Sequence, residues 1–183
     1  MFTLHCTKKL LDRIHPEVVA PCTPTTRLGN WYATALFWKP HMALLVNERT
    51  LLPVVMPLAP AATLAKRFPA ALKDVLQALD LPAEFIQAEM DGMDEVVYAK
   101  TANRSLIGML NEFSFLGEAF RDRSALVDPL ALSLKLAGVP CGPLSKGAGI
   151  PDSAVRELVA GGGLHCAIPP WPLRRSRSES QTR

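Results

Sequence analysis

Residues 31–56 read WYATALFWKPHMALLVNERTLLPVVM and contain three β-like runs separated by two short turn sequences. The runs occupy residues 31–38, 42–47 and 51–56. The turn sequences, residues 39–41 and 48–50, are too short for a crossover, so neighbouring strands must be antiparallel. The middle run is apolar throughout residues 42–46, which suits a strand covered on both faces. Pro53 removes a backbone donor from the third run, so we expect that run at a sheet edge.

The flanking sequence adds strands and helices to this centre. Strand patterns occur at residues 2–6 and 95–100, and helical patterns occur at residues 8–14, 61–79, 82–93, 104–121, 128–137 and 153–160. Thr7 can cap the helix at residues 8–14. Residues 15–30 read as a connecting loop that is a candidate for mobility. The clearest helix, residues 104–121, repeats apolar side chains every three or four positions, with Asn103 as its N-cap or Thr101 as the alternative.

These patterns predict an α+β fold, with an antiparallel sheet of about four to five strands covered by helices. We expect a single α+β domain over residues 1–160 and a flexible Gly/Pro/Arg/Ser-rich tail over residues 161–183. The chain of 183 residues is long enough to enclose one hydrophobic core.

Charge and composition narrow the functional classes. The formal net charge is +3, and the four arginines and one glutamate of residues 174–183 account for all of it. A neutral body argues against a phosphate-tracking groove, so nucleic-acid binding is unlikely except through the basic tail. Charged residues or prolines interrupt every apolar stretch, which argues against a membrane protein. The four widely spaced cysteines indicate reduced thiols and a cytoplasmic location.

Four sequence blocks resemble an uncharacterised bacterial family, a domain of unknown function. They are CTKKLL at residues 6–11, LGNWYA at 28–33, VNERTLLPVV at 46–55 and KTANRSLIG at 100–108. The resemblance covers roughly residues 2–160 and implies no established activity. One departure is that residues 108–111 read Gly-Met-Leu-Asn where the family pattern has Gly-Ser-Met-Asn.

The first helix turn after residue 100 holds the main candidate site. Arg104, Gly108 and Asn111 are spaced four and three apart and share one helix face. Lys100 and Asn103 would join Arg104 to form a small anion site with free backbone N–H groups. The alternative is a capped and solvated helix start. Gly108 indicates either close ligand approach or tight helix-to-sheet packing.

Asn47 and Glu48 form a second candidate pair in the tight turn between the second and third runs. Asn is favoured in turns because its side chain bonds its own backbone, which is the structural interpretation. The functional interpretation makes Glu48 a weak candidate for a general base that pairs with Arg104 or Lys100. Trp31 and Tyr32 are candidates for an aromatic wall of a ligand site, with core packing as the favoured alternative.

The sequence supplies no common catalytic, metal or cofactor signature. His5-Cys6 and His165-Cys166 lie at opposite ends of the chain, so we expect no metal site, and we expect no cofactor. Cys141 lacks an identifiable base and is expected to be an inert thiol. We therefore expect a noncatalytic binding or accessory domain that recognises a small anionic ligand or a protein partner. The alternative is an enzyme acting on a phosphate-containing substrate, such as a nuclease-like hydrolase.

Overall fold

The computed structural model describes residues 1–121 and 127–161. In these ranges the strands are β1 (Phe2–Cys6), β2 (Trp31–Leu36), β3 (Met42–Asn47), β4 (Pro53–Pro57) and β5 (Val96–Lys100). The helices are α1 (Lys8–Ile14), α2 (Leu64–Ala78), α3 (Ala83–Asp91), α4 (Arg104–Phe120), α5 (Pro129–Ala137) and α6 (Pro151–Val159). Short 3₁₀ turns occupy Ala61–Thr63 and Gly142–Leu144. The α+β class is therefore confirmed.

The five strands form one mixed sheet in the order β4-β3-β2-β1-β5. The antiparallel pairing of β2 with β3 and of β3 with β4 confirms the expected meander. The prediction of a purely antiparallel sheet is wrong, because β1 pairs in parallel with both β2 and β5. Residues 7–30 separate β1 from β2, and a connection of that length permits a crossover between parallel strands.

Helices cover both faces of the sheet. One face, called the α2 face, carries Leu4, Trp31 and Leu45 and packs in a core with side chains of α1, α2 and α3. The other face, called the α4 face, carries Tyr32 and Leu44 and packs against α4, α5 and α6. Every residue of β3 is buried, which confirms the prediction that this strand is covered on both sides.

The edge strand β4 is protected on its open side, and its edge position confirms the expectation from Pro53. Prolines at both ends of the strand, Pro53 and Pro57, remove backbone donors. Between them, the Val55 amide donates a hydrogen bond of 2.8 Å to Ser133 Oγ on α5. A helix side chain therefore occupies the position that another strand would take.

The segment at residues 15–30 is attached to the opposite edge of the sheet. Val18 forms a parallel bridge with Tyr98 of β5, and the Cys22 amide donates to Thr3 Oγ1 at 3.0 Å. The segment thereby covers β5 and part of β1. Apart from residue 161, the predicted tail lies outside the described residues. None of the described helices is both long and apolar enough to cross a bilayer.

Candidate functional site

The carboxyl ends of β1 and β5 form a topological switch point. These strands are adjacent and parallel, with Cys6 aligned with Lys100. After β1 the chain enters α1, whose Leu10 lies in the core of the α2 face. After β5 the chain enters α4, which packs on the α4 face. The amide of Thr101 donates to the carbonyl oxygen of Cys6 at 3.3 Å, so the two strand ends are joined by their backbones. The two connections leave on opposite sides, and ligands of open α/β sheets bind outside the strand ends at such points; this region is called the crevice below.

Two predicted site residues, Lys100 and Arg104, flank this crevice with exposed cationic side chains. Neither side chain forms a hydrogen bond or an ion pair with residues of the described ranges. Lys100 is aligned with Cys6, so its side chain leaves on the α2 face, whereas Arg104 opens the helix of the α4 face. Lys9 of α1 is also exposed and unpaired among described residues, and sequence reasoning did not single it out.

Asn103 is the N-cap of α4, as predicted. Its Oδ1 atom accepts hydrogen bonds from the amides of Ser105, at 2.9 Å, and Leu106, at 3.4 Å. These contacts match the capped-helix alternative, and they use two of the amides that the expected anion site needed. A ligand at the crevice would therefore depend on side-chain charge more than on backbone donors.

Gly108 and Asn111 are exposed on the outer side of α4. A Cβ atom built on Gly108 would meet no atom within 4 Å, so the tight-packing interpretation of this glycine is wrong. Gly117 has that role instead, since its Cβ would lie 3.0 Å from Cη2 of Trp38. Asn111 shares the exposed face with Arg104, as its spacing predicted, and its side chain forms no hydrogen bond within the described ranges.

Asn47 is the last residue of β3, beside the amino end of β2, and is completely buried. Its Oδ1 atom accepts from the amides of Arg49 and Thr50, each at 3.0 Å, which confirms the turn interpretation. Its Nδ2 atom donates to the carbonyl oxygen of Leu28 at 2.9 Å. With its amide fully bonded inside the protein, Asn47 presents no free polar group to a ligand.

Glu48 follows Asn47, and its Oε1 atom accepts a hydrogen bond of 3.0 Å from the amide of Asn30. The sheet register aligns Asn47 with Tyr98 through β2 and β1. Glu48 lies one residue from this level toward the amino end of β5, and Lys100 lies two residues from it toward the carboxyl end. The backbones of Glu48 and Lys100 are thus about 14 Å apart across the strands and about 10 Å apart along them. This separation removes the reason to pair Glu48 with Lys100 or Arg104 in catalysis.

Trp31 is 1% exposed and lies in the core of the α2 face. Its ring meets Phe68 of α2 edge-on, with ring centroids 4.9 Å apart. This placement is the core-packing alternative, because a side chain enclosed in this way cannot line a ligand site without a rearrangement of the core.

Sequence reasoning missed the pairing of His5 with Tyr32 on the α4 face, because it weighed His5 only as a metal ligand and Tyr32 only as an aromatic wall beside Trp31. Their rings stack with centroids 4.5 Å apart and an interplanar angle of 16°. The Nδ1 atom of His5 lies 3.3 Å from the carbonyl oxygen of Lys100, which links the stack to the end of β5. Burial raises the pKa of Tyr32, and the carboxylate of Glu48 adds to this rise. The signal was the alternation in Thr3-Leu4-His5 and Tyr32-Ala33-Thr34, which sends these polar side chains to one face.

A threonine pair continues this polar strip toward the crevice. Thr7 precedes α1 as expected, but its side chain makes no capping bond. Its Oγ1 atom instead lies 2.9 Å from Oγ1 of Thr34 on β2. The hydroxyl that the sequence assigned to a helix cap therefore belongs to the α4 face.

The described residues include no group of three or more His, Cys, Asp or Glu side chains placed to hold a metal ion. Cys6, Cys22 and Cys141 form no disulfide in these ranges, while His165 and Cys166 lie outside them. Burial raises the pKa of Cys6 and of Cys141 to about 12. Both thiols are therefore protonated near neutral pH and poor nucleophiles, as expected for Cys141.

A protein-family profile matches residues 3–154 of the chain. The chain belongs to DUF6933, a domain of unknown function. The predicted resemblance to a domain-of-unknown-function family is thus confirmed. The DUF6933 chain is also 30% identical over 111 residues to the tRNA modification GTPase MnmE of Cyanothece sp. (strain PCC 7425 / ATCC 29141). That match covers 58% of this chain and 23% of the relative. No solved structure matches the chain.

Proposed function

We propose that this DUF6933 domain is a binding domain that holds a small anionic ligand in the crevice between the carboxyl ends of β1 and β5. The observation that carries the proposal is the pair of exposed cations, Lys100 and Arg104, at a topological switch point and without partners in the described ranges. Cations placed on two sides of one crevice suit a phosphate or carboxylate group.

The charge distribution favours a small ligand over a long polyanion. Outside the last ten residues the chain is formally neutral, because residues 174–183 carry the whole net charge of +3. A nucleic-acid backbone needs many cations along one surface, whereas a single anionic group needs only two or three. The proposal therefore includes no nucleic acid at the crevice.

The relative is a tRNA modification GTPase, but we propose neither GTP hydrolysis nor tRNA binding for this chain. This chain contains no Gly-x-x-x-x-Gly-Lys-Ser/Thr loop, the sequence that cradles nucleotide phosphates in P-loop GTPases. A cytoplasmic setting is part of the proposal, supported by the free thiols of Cys6, Cys22 and Cys141.

A protein partner is the second candidate, and the exposed side of α4 supports it. Arg104, Asn111 and Phe115 lie along one line of this helix, and Phe115 is 74% exposed. An apolar ring on an otherwise polar helix face is typical of a contact surface. If a purified partner protects this line from solvent exchange while phosphate has no effect on the domain, the ligand proposal gives way to this one.

The test is a titration of inorganic phosphate followed by thermal unfolding. Wild type should gain melting temperature as the phosphate concentration rises, because a ligand that binds only the folded state stabilises it. Arg104→Ala and Lys100→Ala should each lose most of this gain. Sodium chloride at matched ionic strength should not reproduce it.

The matched control is Lys66→Ala on α2. Lys66 is an exposed lysine on a helix of the α2 face, so its loss changes net charge without touching the crevice. It should respond to phosphate as wild type does. Equal responses of all four proteins would mean that phosphate acts only as an excluded salt, and the proposal would fail.

A further inference from the structure

His5 and Tyr32 combine deep burial with unpaired polar atoms. Each residue is less than one-tenth exposed, at 7% and 5%. Tyr32 Oη and His5 Nε2 have no hydrogen-bond partner within the described ranges. Every fully buried side-chain nitrogen or oxygen of those ranges has a partner, so these two atoms must reach solvent. Two nearly buried rings thus present single polar atoms at the surface of the α4 face.

The contact of His5 with β5 determines which ring nitrogen of His5 can accept a hydrogen bond. A carbonyl oxygen only accepts hydrogen bonds, so the 3.3 Å contact with the Lys100 carbonyl requires the proton of neutral His5 on Nδ1. Nε2 then carries a lone pair and accepts. The hydroxyl of Tyr32 beside it donates or accepts. The two stacked rings therefore offer an acceptor, Nε2, and a hydroxyl that can donate, on one face of the sheet.

We propose that His5 and Tyr32 recognise the neutral portion of the bound ligand, which makes that ligand a hydroxyl-bearing organic anion of the sugar-phosphate class. A hydroxyl donates to Nε2 and a second one accepts from Oη, while the anionic group lies at the crevice. The proposal rests on the function proposed above, because the Lys100 carbonyl joins His5 to the crevice and Arg104 opens the helix on the same face.

Stacking makes the pair suitable for selection among ligands. Each ring holds the other in one orientation, so neither polar atom loses much side-chain entropy when it binds. A site that hydrogen-bonds a substrate hydroxyl rejects analogues that lack it, since its own polar atoms are then left unpaired. The His5–Tyr32 pair would therefore separate a sugar phosphate from inorganic phosphate.

Two substitutions test the pair: one keeps both rings, and the other replaces the His5 ring by a smaller amide side chain. Tyr32→Phe keeps the ring and deletes only Oη, which has no partner among described residues. His5→Asn keeps a donor near the position of Nδ1 for the Lys100 carbonyl and deletes Nε2. The control is Tyr98→Phe, which removes a hydroxyl from a half-buried tyrosine on the α2 face.

The probes are ribose 5-phosphate and inorganic phosphate, measured by isothermal titration calorimetry. Wild type and Tyr98→Phe should bind ribose 5-phosphate at least tenfold more tightly than phosphate. Tyr32→Phe and His5→Asn should each lose about five- to tenfold in affinity for ribose 5-phosphate, as expected for one hydrogen bond, and keep their affinity for phosphate.

The outcomes separate the two proposals. Failure of wild type to bind phosphate would overturn the proposed function. Phosphate binding without a preference for ribose 5-phosphate, or a preference that survives both substitutions, would overturn the role of His5 and Tyr32 alone. A long-range ¹H–¹⁵N spectrum that places the proton of neutral His5 on Nε2 would also overturn it.

Discussion

The Nδ2 atom of Asn47 donates a hydrogen bond of 2.9 Å to the carbonyl oxygen of Leu28, and this contact ties the β3–β4 turn to the segment that enters β2. The same side chain also holds the turn itself through Arg49 and Thr50. Beside it, Glu48 bonds the Asn30 amide. The amino end of β2 is thus held by side chains, while the carboxyl end of β5 and the start of α4 carry cations that have no partner among the described residues.

Asn47→Ala should destabilise the domain by about 3 kcal/mol, because buried amides and a carbonyl would lose their partner. Urea unfolding followed by circular dichroism measures the change. Glu48→Ala is the control, since Glu48 is partly exposed and makes one side-chain hydrogen bond to Asn30; it should cost about 1 kcal/mol. Equal costs for the two substitutions would contradict the structural role of Asn47.

Alanine substitutions at two glycines of α4 should change the free energy of unfolding in opposite directions. Gly108→Ala adds a methyl group in open space and should stabilise the domain by about 0.5–1 kcal/mol through helix propensity. Gly117→Ala places Cβ 3.0 Å from Trp38, so it should destabilise by about 1 kcal/mol despite the same gain in propensity. Chemical denaturation of both variants checks the sign. If Gly117→Ala were as stabilising as Gly108→Ala, the close contact with Trp38 would be wrong.

Ser133→Ala should destabilise the domain at the edge strand β4. Ser133 Oγ accepts from the Val55 amide and donates to the Pro129 carbonyl, and the residue is fully buried. Its loss leaves the Val55 amide unpaired and should cost about 2 kcal/mol. Faster hydrogen exchange of that amide is the specific readout.

The matched control for Ser133 is Ser114→Ala. Ser114 also donates to the carbonyl four residues earlier in its helix, but it bonds no strand. Its substitution should change stability by less than about 0.5 kcal/mol. A similar loss in both variants would show that the serine-to-carbonyl bond, and not the contact with β4, stabilises the domain.

Glu89 should make stability depend on pH. Its carboxylate is 1% exposed and accepts from the amides of Arg27 and Leu28, and burial raises its pKa above the ordinary glutamate value despite these bonds. The folded state then binds the proton more tightly than the unfolded state, so the contribution of Glu89 to stability is fully present below about pH 4.3 and is lost as pH rises through the raised pKa.

Glu89→Gln keeps an oxygen acceptor for both amides and removes the titrating group. Its free energy of unfolding should therefore fall less than that of wild type between about pH 4 and pH 7, as measured by urea titrations at each pH. Parallel pH profiles for the two proteins would show that Glu89 titrates at its ordinary value.

Several features were predictable because they depend on short-range chemistry. The three-strand meander follows from turn lengths, and the cap of α4 follows from an Asn before a helical pattern. The buried turn around Asn47 follows from the same local hydrogen bonding that makes Asn common in turns. For the candidate site, the shared helix face of Arg104 and Asn111 followed from helical spacing alone, and the structure shows that this face is exposed.

The sequence by itself determined the elements of this protein, since strand alternation, helical spacing and capping act between residues a few positions apart. Only the tertiary structure decided that β1 lies between β2 and β5, because strand order depends on which faces can be buried together. That order brings His5 against Tyr32 and the end of β5, and it separates Glu48 from Lys100. Contacts between distant segments have no periodic signature in the chain, and for this reason the His5–Tyr32 pair emerged only from the packed sheet.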